Sequence, residues 1–167
     1  MDENQKKTAL RMIPYGLYVL TAQAKDGATT AATVNWVTQA SFAPPLVVVA
    51  VKADSNAYAV IRASGSFALN FLGKGQQSVA FNFFKSVERE GETIGGERYR
   101  VGTTGAPILE ATPAFVECRV IQTVDHGDHS VVVGEVVGAG VAQEPEGRPD
   151  DAVLWLKDLG ARTFYGG

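Results

Sequence analysis

The chain has 167 residues, with 15 Lys and Arg against 18 Asp and Glu for a net charge of −3; 46% of it is hydrophobic and 20% charged. That composition fits one globular domain over 1–167 and excludes a disordered chain, a coiled coil or a collagen-like repeat. It also lacks the basic surplus on which non-specific nucleic-acid binding depends. The single cysteine, Cys118, excludes an intrachain disulfide and a multi-thiolate metal or Fe–S site within one chain. Residues 1–7 are polar, and no run approaches the roughly 18 apolar residues of a membrane span. The expected location is therefore the cytoplasm, with no membrane contact.

Asp2, followed three residues later by Gln5 and then by Ala9, Leu10 and Ile13, predicts a short leading helix that Pro14 stops. Residues 15–22 and 31–38 read as two strands of a hairpin turning at Asp26-Gly27. After Pro44-Pro45, the unbroken apolar run 46–51 predicts a strand buried on both faces at the centre of a sheet. Ser55 stands as N-cap before Ala57, Val60 and Ile61 at helical spacing, with Gly65 just past the end. A strand over 67–72 and a helix over 76–84 follow, the helix carrying Val79, Ala80, Phe83 and Phe84 on one stripe. Residues 85–113, rich in Gly, Glu and Arg without periodicity, read as a surface excursion or lid.

Residues 114–124 alternate as a half-buried strand, with Val116, Cys118 and Val120 inward and Glu117 and Arg119 outward. A tight turn at 126–129 leads into a valine-rich strand over 130–141, then a polar loop over 144–151. Residues 153–156 and 163–165 read as last short strands. Many strands and few short helices, with no βαβ alternation, predict a mainly β fold built as a small antiparallel barrel.

No GxGxxG follows a strand, and there is no Walker loop, HExxH or GxSxG. The segment 33–45 is the densest mixture of polar and apolar groups. Alternation puts Thr33 and Asn35 on one face and Val34 and Trp36 on the other, an arrangement suited to a planar heteroaromatic ligand. The same residues also suit a strand-end turn and a core tryptophan. Ser55 at a helix start beside Lys52 forms either an anion site or an ordinary N-cap near a solvated lysine. Gln76, Gln77 and Ser78 repeat that choice at the next helix. Asp125, His126, Asp128 and His129 supply only part of a metal shell, so no metal site is expected. Cys118, on an apolar strand face, reads as core and not as a nucleophile.

The stretches ATVNWVTQASFAPPLVVVAVK over 32–52, SNAYAVIRASGSFALNFL over 55–72 and GDHSVVVGEVVGAG over 127–140 resemble the flavin reductase-like family of FMN-binding split barrels. The IPYGLYVLTA opening and the Tyr-Gly-Gly ending extend the likeness to nearly the whole chain. Asn-Trp-Val-Thr-Gln is similar to the branch of flavoredoxin-type and flavodiiron- or rubredoxin-associated reductases. The resemblance implies a six-stranded antiparallel split barrel and a homodimer with one FMN per subunit near the interface. It further implies reduction of the flavin by NADH or NADPH, with electrons passed to free flavin or a protein acceptor.

By the same resemblance Thr33, Val34, Asn35 and Trp36 run along the ribityl chain and ring edge, and Ser41 and Phe42 face the pyrimidine end. Lys52, Ser55 and Asn56 meet the phosphate, while His129 stands near flavin and nicotinamide as a catalytic helper. Ala43 replaces the Asp that the family more often has before its double proline, which removes a carboxylate there. Tyr15, Phe84, Phe164 and Tyr165 belong at the ring, at the dimer seam or in the core. A second reading is a non-enzymatic FMN-binding electron carrier reduced by a partner protein. A nucleic-acid-binding barrel would need a basic groove with stacking aromatics, which the composition does not provide.

Overall fold

The computed structural model describes residues 1–85 and 87–167. Asp2 accepts a hydrogen bond from the Gln5 amide at 2.8 Å and caps α1 (Glu3–Arg11), which buries none of its residues. A hairpin follows, of β1 (Tyr18–Gln23) and β2 (Thr29–Val34), in register from Tyr18 opposite Val34 to Gln23 opposite Thr29. Gly27 takes φ 92° in its turn, a backbone region that glycine enters without steric cost. The second run of the predicted hairpin does not continue to residue 38. It breaks at Asn35 and Trp36, and β3 (Val37–Phe42) leaves for the far edge of the sheet.

β4 (Pro45–Lys52) leads to α2 (Asn56–Ser64), which begins and ends as its sequence predicts. The Ser55 hydroxyl accepts from the Tyr58 amide at 3.2 Å, and Gly65 closes the helix at φ 69°. Next come β5 (Ser66–Phe71) and α3 (Gln77–Asn82). The segment read as a surface excursion is instead a small sheet of four strands: β6 (Arg89–Glu90), β7 (Thr93–Ile94), β8 (Glu97–Val101) and β9 (Pro107–Leu109). Ile94, Ala106, Ile108 and Leu109 anchor it in the core; Ser86 of that segment lies outside the described residues. Long strands β10 (Ala114–Asp125) and β11 (His129–Val141) form the second hairpin.

The main sheet has the order β2-β1-β5-β10-β11-β4-β3, antiparallel throughout. β10 therefore holds the centre, and β4 lies one strand from the edge. Of β4 only Val49 and Val51 are buried, because its other face is open. The sheet curls around α2, whose Ala57, Tyr58, Val60 and Ile61 pack with Leu20, Val49, Phe67, Cys118 and Val132. A second cluster of Leu17, Val19, Leu72, Phe83, Ile94 and Leu154 fills the opposite face of β1. Alternation along β1 thus serves two cores at once.

The fold is mainly β with a few short helices. A closed six-stranded barrel is not confirmed: there are seven strands, and among the described residues no ladder joins β2 to β3. Where the ends approach, the β3–β4 pairing runs one residue beyond β3 towards the end of β2, with Ala50 N–H donating to Trp36 O at 3.0 Å. The chain ends differently from expectation as well. Val153 and Trp155 make single bridges to Gly73 and Gly16, a 3-10 turn occupies Leu156–Leu159, and residues 163–165 form no strand. Among the described residues no helix is long and apolar enough to cross a membrane.

Candidate functional site

Where β2 ends and β4 gives way to α2, the curled sheet leaves a cavity of about 290 Å³. Leu17, Val34, Ala50, Ala57, Phe84 and Leu156 make its apolar walls, and Thr33, Asn35, Lys52, Ser55, His129 and Tyr165 bring polar groups to its rim. A larger groove, about 800 Å³, runs between β5, β10 and the 144–151 loop. Its lining carries Glu144, Glu146, Asp150 and Asp151 against Lys74, an excess of negative charge that disfavours a phosphate-bearing ligand. Of these two, the smaller, whose lining carries Lys52 and no carboxylate, is the one that suits an anion.

At its cationic end the Lys52 ammonium lies 3.0 Å from the Asp54 carboxylate, and both side chains are exposed. The hydrogen bond and charge of Asp54 hold the Lys52 ammonium above its ordinary range, and Lys52 holds Asp54 below the carboxylate range. The Ser55 hydroxyl donates to Lys52 O at 2.6 Å while capping α2. The first turn therefore leaves the Asn56 and Ala57 amides without a helical acceptor, next to a fixed positive charge.

Across the β4–β11 pair from Lys52, the imidazole of His129 is nearly buried. Nδ1 lies 2.9 Å from Asp128 Oδ1, and Nε2 lies 2.8 Å from the Tyr165 hydroxyl. Trp36 packs 4.6 Å from the His129 ring and 5.4 Å from the Tyr165 ring. The bond to His129 holds the Asp128 carboxyl below its usual range, and burial pushes the Tyr165 phenol up. Asn35 Nδ2 donates to Tyr165 O at 3.4 Å, so the C-terminal residues 163–165 wall the cavity. Among the described residues the buried Trp36 indole N–H has no hydrogen-bond partner.

Of the residues singled out from the sequence, Thr33, Val34, Asn35, Lys52, Ser55 and His129 line this one cavity. The Thr33 hydroxyl is already committed, donating to Ala80 O at 2.9 Å. Trp36 sits one layer behind, against His129 and Tyr165. Asn56 heads α2 beside the cavity without lining it. Ser41 and Phe42 lie outside it, at the end of β3 opposite Leu46 and Pro45, with the Phe42 ring 91% exposed. Gln76 serves elsewhere: its side chain accepts from Gly73 N and donates to Ala111 O. Phe84, Phe164 and Tyr165 line the cavity, whereas Tyr15 lines a neighbouring one. The tie of Asn35 to Tyr165, 130 residues apart, had no local signal in the sequence.

Residues 10–159 match the family described as the flavin reductase like domain. The chain belongs to that family. Flavin reductase (NADH) of Kitasatospora aureofaciens is 33% identical over 146 residues, 87% of this chain and 74% of that protein. Diflavin flavoprotein A 1 of Synechocystis sp. is 32% identical over 86% of this chain, which spans only 25% of its length. Among solved structures, the NADH:FAD oxidoreductase SgcE6 of Streptomyces globisporus matches with a TM-score of 0.72 and 25% identity, over 86% of this chain and 88% of that one.

The cavity fits the cofactor class of this flavin reductase-like family by its own chemistry. A flavin nucleotide carries a planar ring, apolar at its dimethylbenzene end and polar at its pyrimidine end, joined by a polar chain to a phosphate. The slot is apolar along its length and ends at Lys52 and the first turn of α2. A buried donor without an acceptor among the described residues, Trp36 Nε1, stands one layer behind its wall.

Proposed function

We propose that this chain is an FMN-binding oxidoreductase that takes a hydride from NADH or NADPH and passes electrons to free flavin or a protein acceptor. The observation that carries this reading is the amphipathic cavity, apolar beside β2 and β4 and cationic at the start of α2. The names of its relatives, an NADH flavin reductase and an NADH:FAD oxidoreductase, support the same chemistry. When bound, FMN supplies the hydride-accepting ring.

The residues of the chain bind and orient. Lys52, released from Asp54, and the amides of Asn56 and Ala57 hold the phosphate, with Ser55 keeping the helix start in place. Thr33, Val34 and Asn35 run beside the ribityl chain and ring edge, and Trp36 backs them. His129 orients the nicotinamide carboxamide, since hydride transfer depends on positioning more than on an acid or base.

A second copy of the chain is part of the reading. On the outward faces of β4 and β11, Leu46, Val48, Val131 and Val133 are only half-buried, and Lys52 and His129 stand paired at the end of the same face. An apolar sheet face of this kind, continuous with the cavity rim, suits a symmetric homodimer. Ser41 and Phe42 reach a flavin only in that assembly.

Anaerobic mixing of the FMN-loaded protein with NADH or NADPH tests the activity. Rapid bleaching of the bound flavin by at least one donor is expected. Retained flavin that neither donor bleaches assigns the chain to the electron-carrier reading instead.

A further inference from the structure

The C-terminal residues 163–167 are held in place by side chains distant in sequence. Arg11 Nε donates to Gly166 O at 3.3 Å, and its guanidinium lies 4.3 Å from the centre of the Phe164 ring. Asn35 holds Tyr165 O from the other side. Gly166, at φ 119°, lets the backbone lie against the Trp36 indole, where an ideal Cβ stands 3.4 Å from Cζ2. These ties give α1 a purpose although it buries nothing: its last residue pins the segment that carries Tyr165.

We propose that Tyr165 is a positioning residue for His129, and the proposal rests on the flavin-reducing reading of the same cavity. A carboxylate only accepts, so in the neutral imidazole the hydrogen shared with Asp128 sits on Nδ1. Nε2 is then an acceptor and takes the Tyr165 hydroxyl hydrogen. Asp128 is 93% exposed and competes with water for its bond, whereas the His129 ring is 13% exposed. The hold on the ring therefore depends chiefly on the Tyr165 bond, with Trp36 against its face. With both nitrogens committed, the ring has one orientation at the cavity wall. A carboxamide oxygen that takes the Nδ1 hydrogen from the exposed Asp128 carboxylate meets a ring already oriented by Tyr165, which sets how the reduced nicotinamide binds and leaves the transfer step alone.

Tyr165→Phe removes one oxygen and keeps the ring, and it is compared with the parent in steady-state flavin reduction and in FMN affinity. The expected result is KM for the reduced nicotinamide raised about fivefold or more, with kcat and FMN affinity within about twofold, the pattern of lost uniform binding. In a His129→Asn background the same change is expected to move KM by less than about 1.5-fold, because a residue acting through His129 has nothing left to position. A KM unchanged by Tyr165→Phe overturns the proposal, as does an equal rise in both backgrounds. Absence of flavin reduction by the parent protein overturns the functional reading and this proposal with it. Turnover by the parent with an unmoved variant overturns this proposal alone.

Discussion

Glu117 shows how one side chain can hold a turn that alternation would leave unsupported. It sits on the face of β10 opposite Cys118 yet is 3% exposed, because the turn between β8 and β9 covers it. The amides and hydroxyls of both Thr103 and Thr104 donate to its two oxygens at 2.7–3.2 Å. Burial pushes its carboxyl up, but those four bonds outweigh it and hold the group below the usual carboxylate range. A pKa lowered on folding contributes stability that is full above the unfolded value, about 4.3. That stability is lost as pH falls through the folded value. Glu117→Gln is expected to cost about 2 kcal/mol at neutral pH, with the gap to the parent narrowing below about pH 4, measured by urea unfolding at several pH values. Next to it, burial and the Glu117 charge push the Cys118 thiol up to about 12, which fits a thiol that packs and does not react.

Asn70 ties the small sheet to the main one. Its Nδ2 donates to Val19 O at 3.0 Å and to Thr21 Oγ at 3.1 Å, its Oδ1 accepts from the Leu109 amide at 2.9 Å, and the Thr21 hydroxyl donates to Pro107 O. Every group in this buried network is satisfied, so truncating its hub strands several at once. Asn70→Ala is expected to cost roughly 2–4 kcal/mol. Hydrogen exchange is expected to quicken at 107–109 while the amides of α2 keep their protection.

The same contacts explain what was legible in the sequence. The ends of α2 were readable because Ser55 and Gly65 act within one turn. The hairpins were readable because Asp26-Gly27 and the 126–129 turn act locally. The order within 85–113 was not readable, since its strands have two to five residues and are held by partners such as Asn70 and Glu117. β4 read as central because its apolar run lacks alternation, yet its outer face is open. The cavity was half legible: the cluster at 33–36 and the Lys52–Ser55 pair lie near each other in sequence. The wall made by residues 163–165 depends on Arg11, Asn35 and His129, which no spacing rule connects.

Taken as one body, the molecule is a curled antiparallel sheet filled from inside by α2, with its site where the two ends of the sheet approach each other. That arrangement places an apolar slot, a helix start and a nearly buried histidine around one opening, on the face whose valines have no cover. FMN titration followed by quenching of flavin fluorescence, for the parent and for Ala50→Trp, probes that cavity as the flavin site. Ala50 lies on the open face of β4 and lines the slot, so a bulky ring there fills the space without entering the α2 core. Saturable quenching by the parent with one flavin per chain, weakened about tenfold or more in Ala50→Trp, is the expected outcome. No quenching by the parent, or equal affinity in both proteins, would show that the flavin site lies elsewhere or does not exist.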